Sequence, residues 1–125
     1  MIAPLVVHLP GLRLVSEANM HEHWRVRSKR AKHQRAVCAA AIRPAILAGK
    51  WTLPLRVTIV RIAPRALDDD NAVGSAKHVR DGIADALAAI GLRDDRDARV
   101  TWVVGQERGA PKTYGVRITL ESVSE

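Results

Sequence analysis

The stretch LRVTIVRIAPRALDDDNAVGSAKHVRDGIADALAAIGLRDD, from Leu55 to Asp95, decides the fold. Leu55, Val57 and Ile59 alternate with Arg56 and Thr58, and Val60 and Ile62 then make the second face apolar as well. That pattern predicts a strand, opened by Pro54 and covered on both sides. From about Asn71 to Ile90 the period changes, because Val73, Ala76, Val79, Ile83, Leu87 and Ile90 recur at helical spacing and Gly91 supplies a stop. At about 100° per residue those positions share one side of the helix. Lys77, Asp81 and Asp85 fall within about 80° of one another on the other side, in line with Asp70 just before the helix.

Working outward, Leu5 to Leu9 reads as a short strand ended by Pro10-Gly11, and Ser16 to Asn19 as a turn into a basic segment. A long helix is expected from about His23 to Leu47, rich in Arg, Lys, Gln and Ala. Val37, Ala40, Ala41 and Ile42 offer its apolar side, Gly49 stops it, and Pro44 bends its end or terminates it. Downstream, Val100, Trp102 and Val104 alternate as one strand. Tyr114, Val116, Ile118 and Leu120 alternate with Gly115, Arg117, Thr119 and Glu121 as another, joined to the first through Gly109-Ala110-Pro111 as a hairpin. The expected architecture is α/β or α+β: a single small domain over residues 1–125, a mixed sheet carrying two main helices. A length of 125 residues with 47% hydrophobic content suits one ordinary core.

Composition narrows the function. No apolar run approaches the roughly 20 residues that cross a bilayer, and the first twenty residues lack a secretory layout. The expectation is therefore a soluble intracellular, cytoplasmic protein without a membrane partner. A single cysteine, Cys38, can neither staple the domain nor build a thiolate metal site, and reads as a small core residue. The net charge of +7 points to a polyanion, since each Lys or Arg placed at a phosphate releases counterions. Much of that charge lies in one segment: Arg25, Arg27, Lys29, Arg30, Lys32 and Arg35, interleaved with His21, His23 and His33 and opposed only by Glu22, form the expected DNA surface. Trp51 and Trp102 read as core residues, and Trp24 as core or as a base-stacking ring.

The acidic residues cluster as well: eight of the thirteen, from Asp68 to Asp97, fall within thirty positions. Carboxylates facing phosphates gain nothing unless a cation lies between them, and a hard divalent metal does that. Asp68-Asp69-Asp70-Asn71 stands where a strand ends and a helix begins, and Asp94-Asp95 follows the end of that helix. One helix cap needs one such residue, whereas three adjacent like charges are costly. Carboxylates converging on Mg²⁺ or Mn²⁺, with Lys77 as a further cation, are the arrangement that phosphodiester hydrolysis requires.

LDDDN, the helix with Lys77, and DALAAIGLRDD from Asp85 to Asp95 together resemble the RusA family of Holliday-junction resolvases, whose core pattern is DxDN, a helix lysine, DAL and a terminal Asp pair. Asn19 and the Arg/Lys-rich helix are similar to the family's layout more loosely. The resemblance implies metal-binding carboxylates at Asp68, Asp70 and Asp95, with Asp69 and Asp94 as neighbours able to substitute. It implies an essential lysine at Lys77 and a homodimer acting on branched DNA. Lys77 follows Asp70 by about two helical turns, where the family's lysine follows by about one, and both spacings return to one face. The expected function is a Mg²⁺-dependent junction endonuclease. The alternatives are a non-catalytic nucleic-acid-binding dimer, for which the basic helix suffices, and an assembly protein with an acidic loop.

Overall fold

The computed structural model describes residues 2–123, apart from the side chain of Asn19, so that part of the sequence resemblance lies outside the described residues. The chain runs β1 (Leu5–Pro10), α1 (Trp24–Ala48), β2 (Leu55–Ala63), α2 (Asp69–Ser75), α3 (Lys77–Leu87), β3 (Val100–Arg108) and β4 (Gly115–Ser122), with single 3-10 turns at Glu17–Asn19 and Ala88–Ile90. It is α+β: four strands form one mixed sheet in the order β1-β4-β2-β3. β2 runs parallel to β3 and antiparallel to β4, and β4 runs antiparallel to β1.

The expected hairpin between the last two strands does not form. β3 and β4 flank β2 on opposite sides, in register over Leu55–Ala63 with β3 and over Leu55–Ile62 with β4. The link from Gly109 to Tyr114 has only about 10 Å to cover, two strand spacings, and its backbone reaches that easily. It starts by bonding Gly109 N–H to the carbonyl of Ala63 at the end of β2.

Nor is β2 covered on both faces. Leu55, Val57 and Ile59 are fully buried, but Thr58, Val60 and Ile62 on the other side are only half-buried. Cys38, Ile42 and Ile46 of α1 and Val79, Ile83 and Leu87 of α3 join those inward strand residues and Ile118 and Leu120 in one core. Cys38 has the core role read from the sequence, and burial pushes its thiol up to about 12. Trp51 is buried, Trp102 is half-buried against the core, and Trp24 is 67% exposed.

Both helices depart from expectation in detail. Pro44 does not end α1, which continues to Ala48; the bond its missing N–H forfeits is to Ala40, an exposed residue where water can replace it. The apolar face is carried by Cys38, Ala39, Ile42 and Ile46, with Ala40 turned outward. The second helix begins at Asp69 and is divided at Ala76. Gly74 and Ser75 explain the break: the Ser75 hydroxyl bonds to the Ala72 carbonyl at 2.7 Å, and Ala76 N–H turns to Val73, three residues back.

Asp97, counted in the sequence among the acidic cluster, instead holds the turn before β3. Its buried carboxylate accepts from Arg99 Nη2 at 2.8 Å, from Arg99 N–H at 3.1 Å and from Arg93 N–H at 3.2 Å. The Arg99 guanidinium, then these backbone donors, hold its pKa well below the usual carboxylate range. A depressed folded pKa gives stability that is full above the unfolded value, about 4, and is lost as pH falls below it. Asp97→Ala should therefore be less stable than the parent at pH 7 and lose less on going from pH 5 to pH 2. Urea midpoints across that range measure it, and parallel curves for the two proteins would contradict it.

Candidate metal and nucleic-acid site

Lys77 opens α3, one residue after the break, and its position there sets its reach. Its Nζ donates to Asp81 Oδ1 at 3.0 Å, one turn on, and to Asp95 Oδ2 at 3.1 Å across the following loop. These bonds, that to Asp81 foremost, raise the Lys77 pKa and keep it charged. Arg80, a further turn along the same side, places Nε 3.2 Å from Asp95 Oδ2 and donates from Nη2 to the Asp95 carbonyl at 2.8 Å, while its guanidinium lies 4.8 Å over the Trp102 ring. Trp102 Nε1 donates to the same carbonyl at 3.0 Å. Burial alone would raise the Asp95 pKa, but Lys77 and Arg80 outweigh it and the net shift is downward. Asp95 is thus a fixed, ionised carboxylate. Arg80, like His78 a basic neighbour of Lys77 that the spacing of the helix offers as a helper, is the one the fold brings to Asp95.

An opening of about 160 Å³ beside this cluster is lined by Asp81, Asp85, Asp94 and Asp95, with Arg35 and Arg93 at its walls. Asp85 is held there by Arg35, whose Nε and Nη2 donate to its two oxygens at 2.6 and 2.9 Å, and Asp94 accepts from Arg96 N–H at 2.8 Å.

Asp68, Asp69 and Asp70 are placed differently. Asp68 occupies the N-cap position of α2 without making a side-chain cap bond, and Asp69 and Asp70 form its first turn. All three are exposed, and their side chains have no hydrogen bond or ion pair among the described residues. Among those residues only Glu121 shares that condition; every other Asp or Glu side chain meets a donor. The donor set of Asp68, Asp70 and Asp95 consists of carboxylate oxygens, the ligands that suit Mg²⁺ or Mn²⁺. Among the described residues no three carboxylate, imidazole or thiolate side chains stand close enough to hold a metal ion. The fold thus joins Asp95 to Lys77 but does not gather Asp68 and Asp70 into one such group with it.

The basic segment divides in two. Arg27 Nη2 donates to the carbonyls of Glu17 and Met20 at 3.1 and 2.6 Å, and Arg30 pairs with Glu17 and Glu22. Those two arginines lock the entry to α1, and Glu17 also meets His78 of α3 at 3.0 Å. Arg35 is taken by Asp85. Arg25, Lys29 and Lys32 are exposed, with no carboxylate in ion-pair range among the described residues. His23 caps the helix, its Nδ1 accepting from Arg25 N–H at 3.1 Å. If this helix meets DNA, replacing Arg25, Lys29 and Lys32 together should flatten the slope of log affinity against log salt by about 0.9 per lost phosphate contact, and Arg30→Ala should reduce stability rather than slope. Binding titrations at several salt concentrations measure this; an unchanged slope in the triple variant would place DNA elsewhere.

The chain matches no family model, and no curated protein is significantly similar to it.

Proposed function

We propose that this protein is a homodimeric, Mg²⁺-dependent endonuclease of the RusA kind that cuts branched DNA and resolves four-way junctions by paired, symmetric nicks. The observation that carries the reading is the unneutralised acidic turn. In a chain of net charge +7, Asp68, Asp69 and Asp70 stand side by side with no counter-charge among the described residues, an arrangement an external cation stabilises. Mg²⁺ or Mn²⁺ would be held by Asp68 and Asp70 of the acidic turn, with Asp95, which the fold does not gather with them, as the third carboxylate that the resemblance implies. When bound, it activates water and neutralises charge on the scissile phosphate. Lys77 supplies a fixed ammonium at the edge of the site, held by Asp81 and Asp95 so that its charge is already in place when negative charge develops on the phosphate. Arg25, Lys29 and Lys32 hold the backbone of the DNA arms.

The second copy belongs on the open face of the sheet. That face presents Val6, Thr58, Val60, Val103 and Thr119, with Val6 48% and Val103 40% exposed. Its charges balance: Arg56 lies opposite Glu121, and Arg117 pairs with Glu107 at 3.1 Å. A neutral face is a poor surface for DNA and a good one for an identical neutral face. Four strands at about 4.8 Å spacing and eight residues at about 3.3 Å give roughly 500 Å² per copy, about 1,000 Å² in all, at the lower end of stable interfaces.

A junction has two-fold symmetry and its resolution needs two opposed nicks, so two sites in matching symmetry are required. The expected result is a dimer by sedimentation that, in Mg²⁺, makes paired nicks in an end-labelled four-way junction and cuts linear duplex poorly. Val103→Arg should yield a monomer that has lost paired cutting. A monomeric parent that nicks duplex and junction equally would overturn the resolvase reading. The bonds from Lys77 and Arg80 to Asp95 favour a second reading, a non-catalytic DNA-binding dimer in which this cluster merely braces the loop. It expects junction binding without Mg²⁺-dependent nicking.

A further inference from the structure

Among the described residues Arg61 is the one buried cation, 7% exposed, and it occupies an inward position of β2 after Leu55, Val57 and Ile59. Its guanidinium meets no carboxylate among the described residues. Nε donates to the Leu14 carbonyl at 3.0 Å, and Nη1 donates to the Arg65 carbonyl at 2.8 Å and to Gln106 Oε1 at 3.4 Å. All are neutral oxygens, and Nη2 takes part in none of these bonds. A buried cation without an anion is costly, and natural proteins pair such groups or give them a ligand. Burial, with the charge of Arg13, pulls the Arg61 pKa down, as expected for a positive group short of negative partners.

Two openings flank this guanidinium. One, of about 360 Å³, is lined by Arg61, Arg65, Gln106 and Arg108, and the other, of about 160 Å³, by Arg13, Arg61, Arg65 and Tyr114. Arg13 is steadied over the Tyr114 ring, 4.3 Å from its centre. Glu107, the carboxylate in the larger opening, is already engaged by Arg117. Three arginines therefore line each opening, Arg61 and Arg65 being common to both, and among the described residues no unpaired carboxylate lines either. Guanidinium groups match a phosphate, donating paired N–H bonds to its oxygens.

We infer that Arg13, Arg61 and Arg65 form a phosphate seat that takes a backbone phosphodiester of a nucleic-acid strand. Gln106, in the neighbouring opening, links Arg61 to the residue before Asp68. Its Oε1 accepts from Leu67 N–H and its Nε2 donates to the Leu67 carbonyl, both at 2.8 Å, so the seat is tied to the residue before Asp68. A strand phosphate bound to Arg61 sits at the base of the acidic turn and registers the strand against it. The choice of a DNA strand as the occupant rests on the endonuclease reading; the seat itself rests on the arginines.

The test uses the full chain without Mg²⁺, following the Arg61 Nε–H and the amides of Ala66, Leu67 and Gly109 by NMR. The probes are inorganic phosphate, an eight-nucleotide single-stranded DNA, and the same oligonucleotide with neutral methylphosphonate linkages. Both phosphate and the charged oligonucleotide should shift these signals, the oligonucleotide at a concentration at least about tenfold lower, and the neutral one should not. Arg13→Ala/Arg65→Ala alters two exposed side chains and should keep the fold while weakening the oligonucleotide about tenfold and reducing the salt slope by about one to two. Shifts confined to α1, or unchanged affinity and slope in the double variant, would overturn the seat. Inorganic phosphate binding with the charged oligonucleotide leaving these signals untouched would overturn the strand as occupant. A seat that responds as expected in a protein that never nicks a junction in Mg²⁺ would stand, and the endonuclease reading would fall alone.

Discussion

Asp70→Asn is expected to leave the protein folded and bound to DNA while lowering junction cutting by on the order of a thousandfold or more. Asp70 is exposed at the start of α2 and its side chain bonds to nothing among the described residues, so removing its charge costs the fold no more than a first-turn helix interaction of about 0.3–1 kcal/mol. Its only assigned work is to hold the metal. That metal contributes several kcal/mol to the transition state, and about 1.4 kcal/mol is tenfold in rate. Losing a carboxylate also removes a repulsive charge facing phosphates, so DNA affinity should hold or rise. Asp95→Asn is the contrasting variant. Because Asp95 also bonds Lys77 and Arg80, it should lose cutting and some stability together. Single-turnover cutting in Mg²⁺, with binding measured in its absence, separates these effects. An Asp70→Asn protein that cuts at the parental rate would remove the acidic turn from the chemistry.

Gly82→Ala is expected to be the most damaging small substitution in the fold, costing about 3 kcal/mol or more of a total of roughly 5–15. Gly82 lies on α3 where that helix crosses α1, and a Cβ there would stand 2.3 Å from the Arg35 carbonyl oxygen and 2.9 Å from Cys38 Cβ. The obstruction is backbone, so no rotamer change relieves it and the helices must separate. Separation would loosen Ile42 and Ile83, both fully buried at this layer, and pull Arg35 from Asp85. Gly74→Ala is the control: a Cβ at Gly74 meets nothing within 4 Å, and Ala in place of a helical Gly should be neutral or stabilising by about 0.5–1 kcal/mol. Urea unfolding of both variants checks the pair. An unchanged midpoint for Gly82→Ala would mean that the helices do not approach as closely as described.

The close helix crossing was invisible in the sequence, where the apolar period of this segment passes over Gly82. The amphipathic pattern itself was legible: Val79, Ile83 and Leu87 face the core as their spacing requires, and Lys77 and Asp81 share the polar side. The break at Ala76 was missed because it arises from a side-chain bond, Ser75 to Ala72, that apolar periodicity does not register. Arg61 carried a signal that went unread. Its odd-numbered place in an alternating strand put a charge among inward residues, and that register predicts a buried guanidinium.

Sequence alone determined a small mixed α and β domain, the inward set of β4, the long basic helix and the two acidic clusters around the second helical segment. Each of these is a local property, since which side of an element turns inward follows from the period at which apolar residues recur. Tertiary structure alone decided that β2 lies between β3 and β4, that Arg27, Arg30 and Arg35 are taken up by partners within the protein, and that Lys77 meets Asp95 while Asp68 to Asp70 meet no cation among the described residues. These depend on pairings between residues from seven positions apart, as in Arg27 and Met20, to the much longer separation of Leu55 and Ser122. Strand order and charge neutralisation are set by which distant surfaces pack together, and no short-range pattern in a chain encodes that.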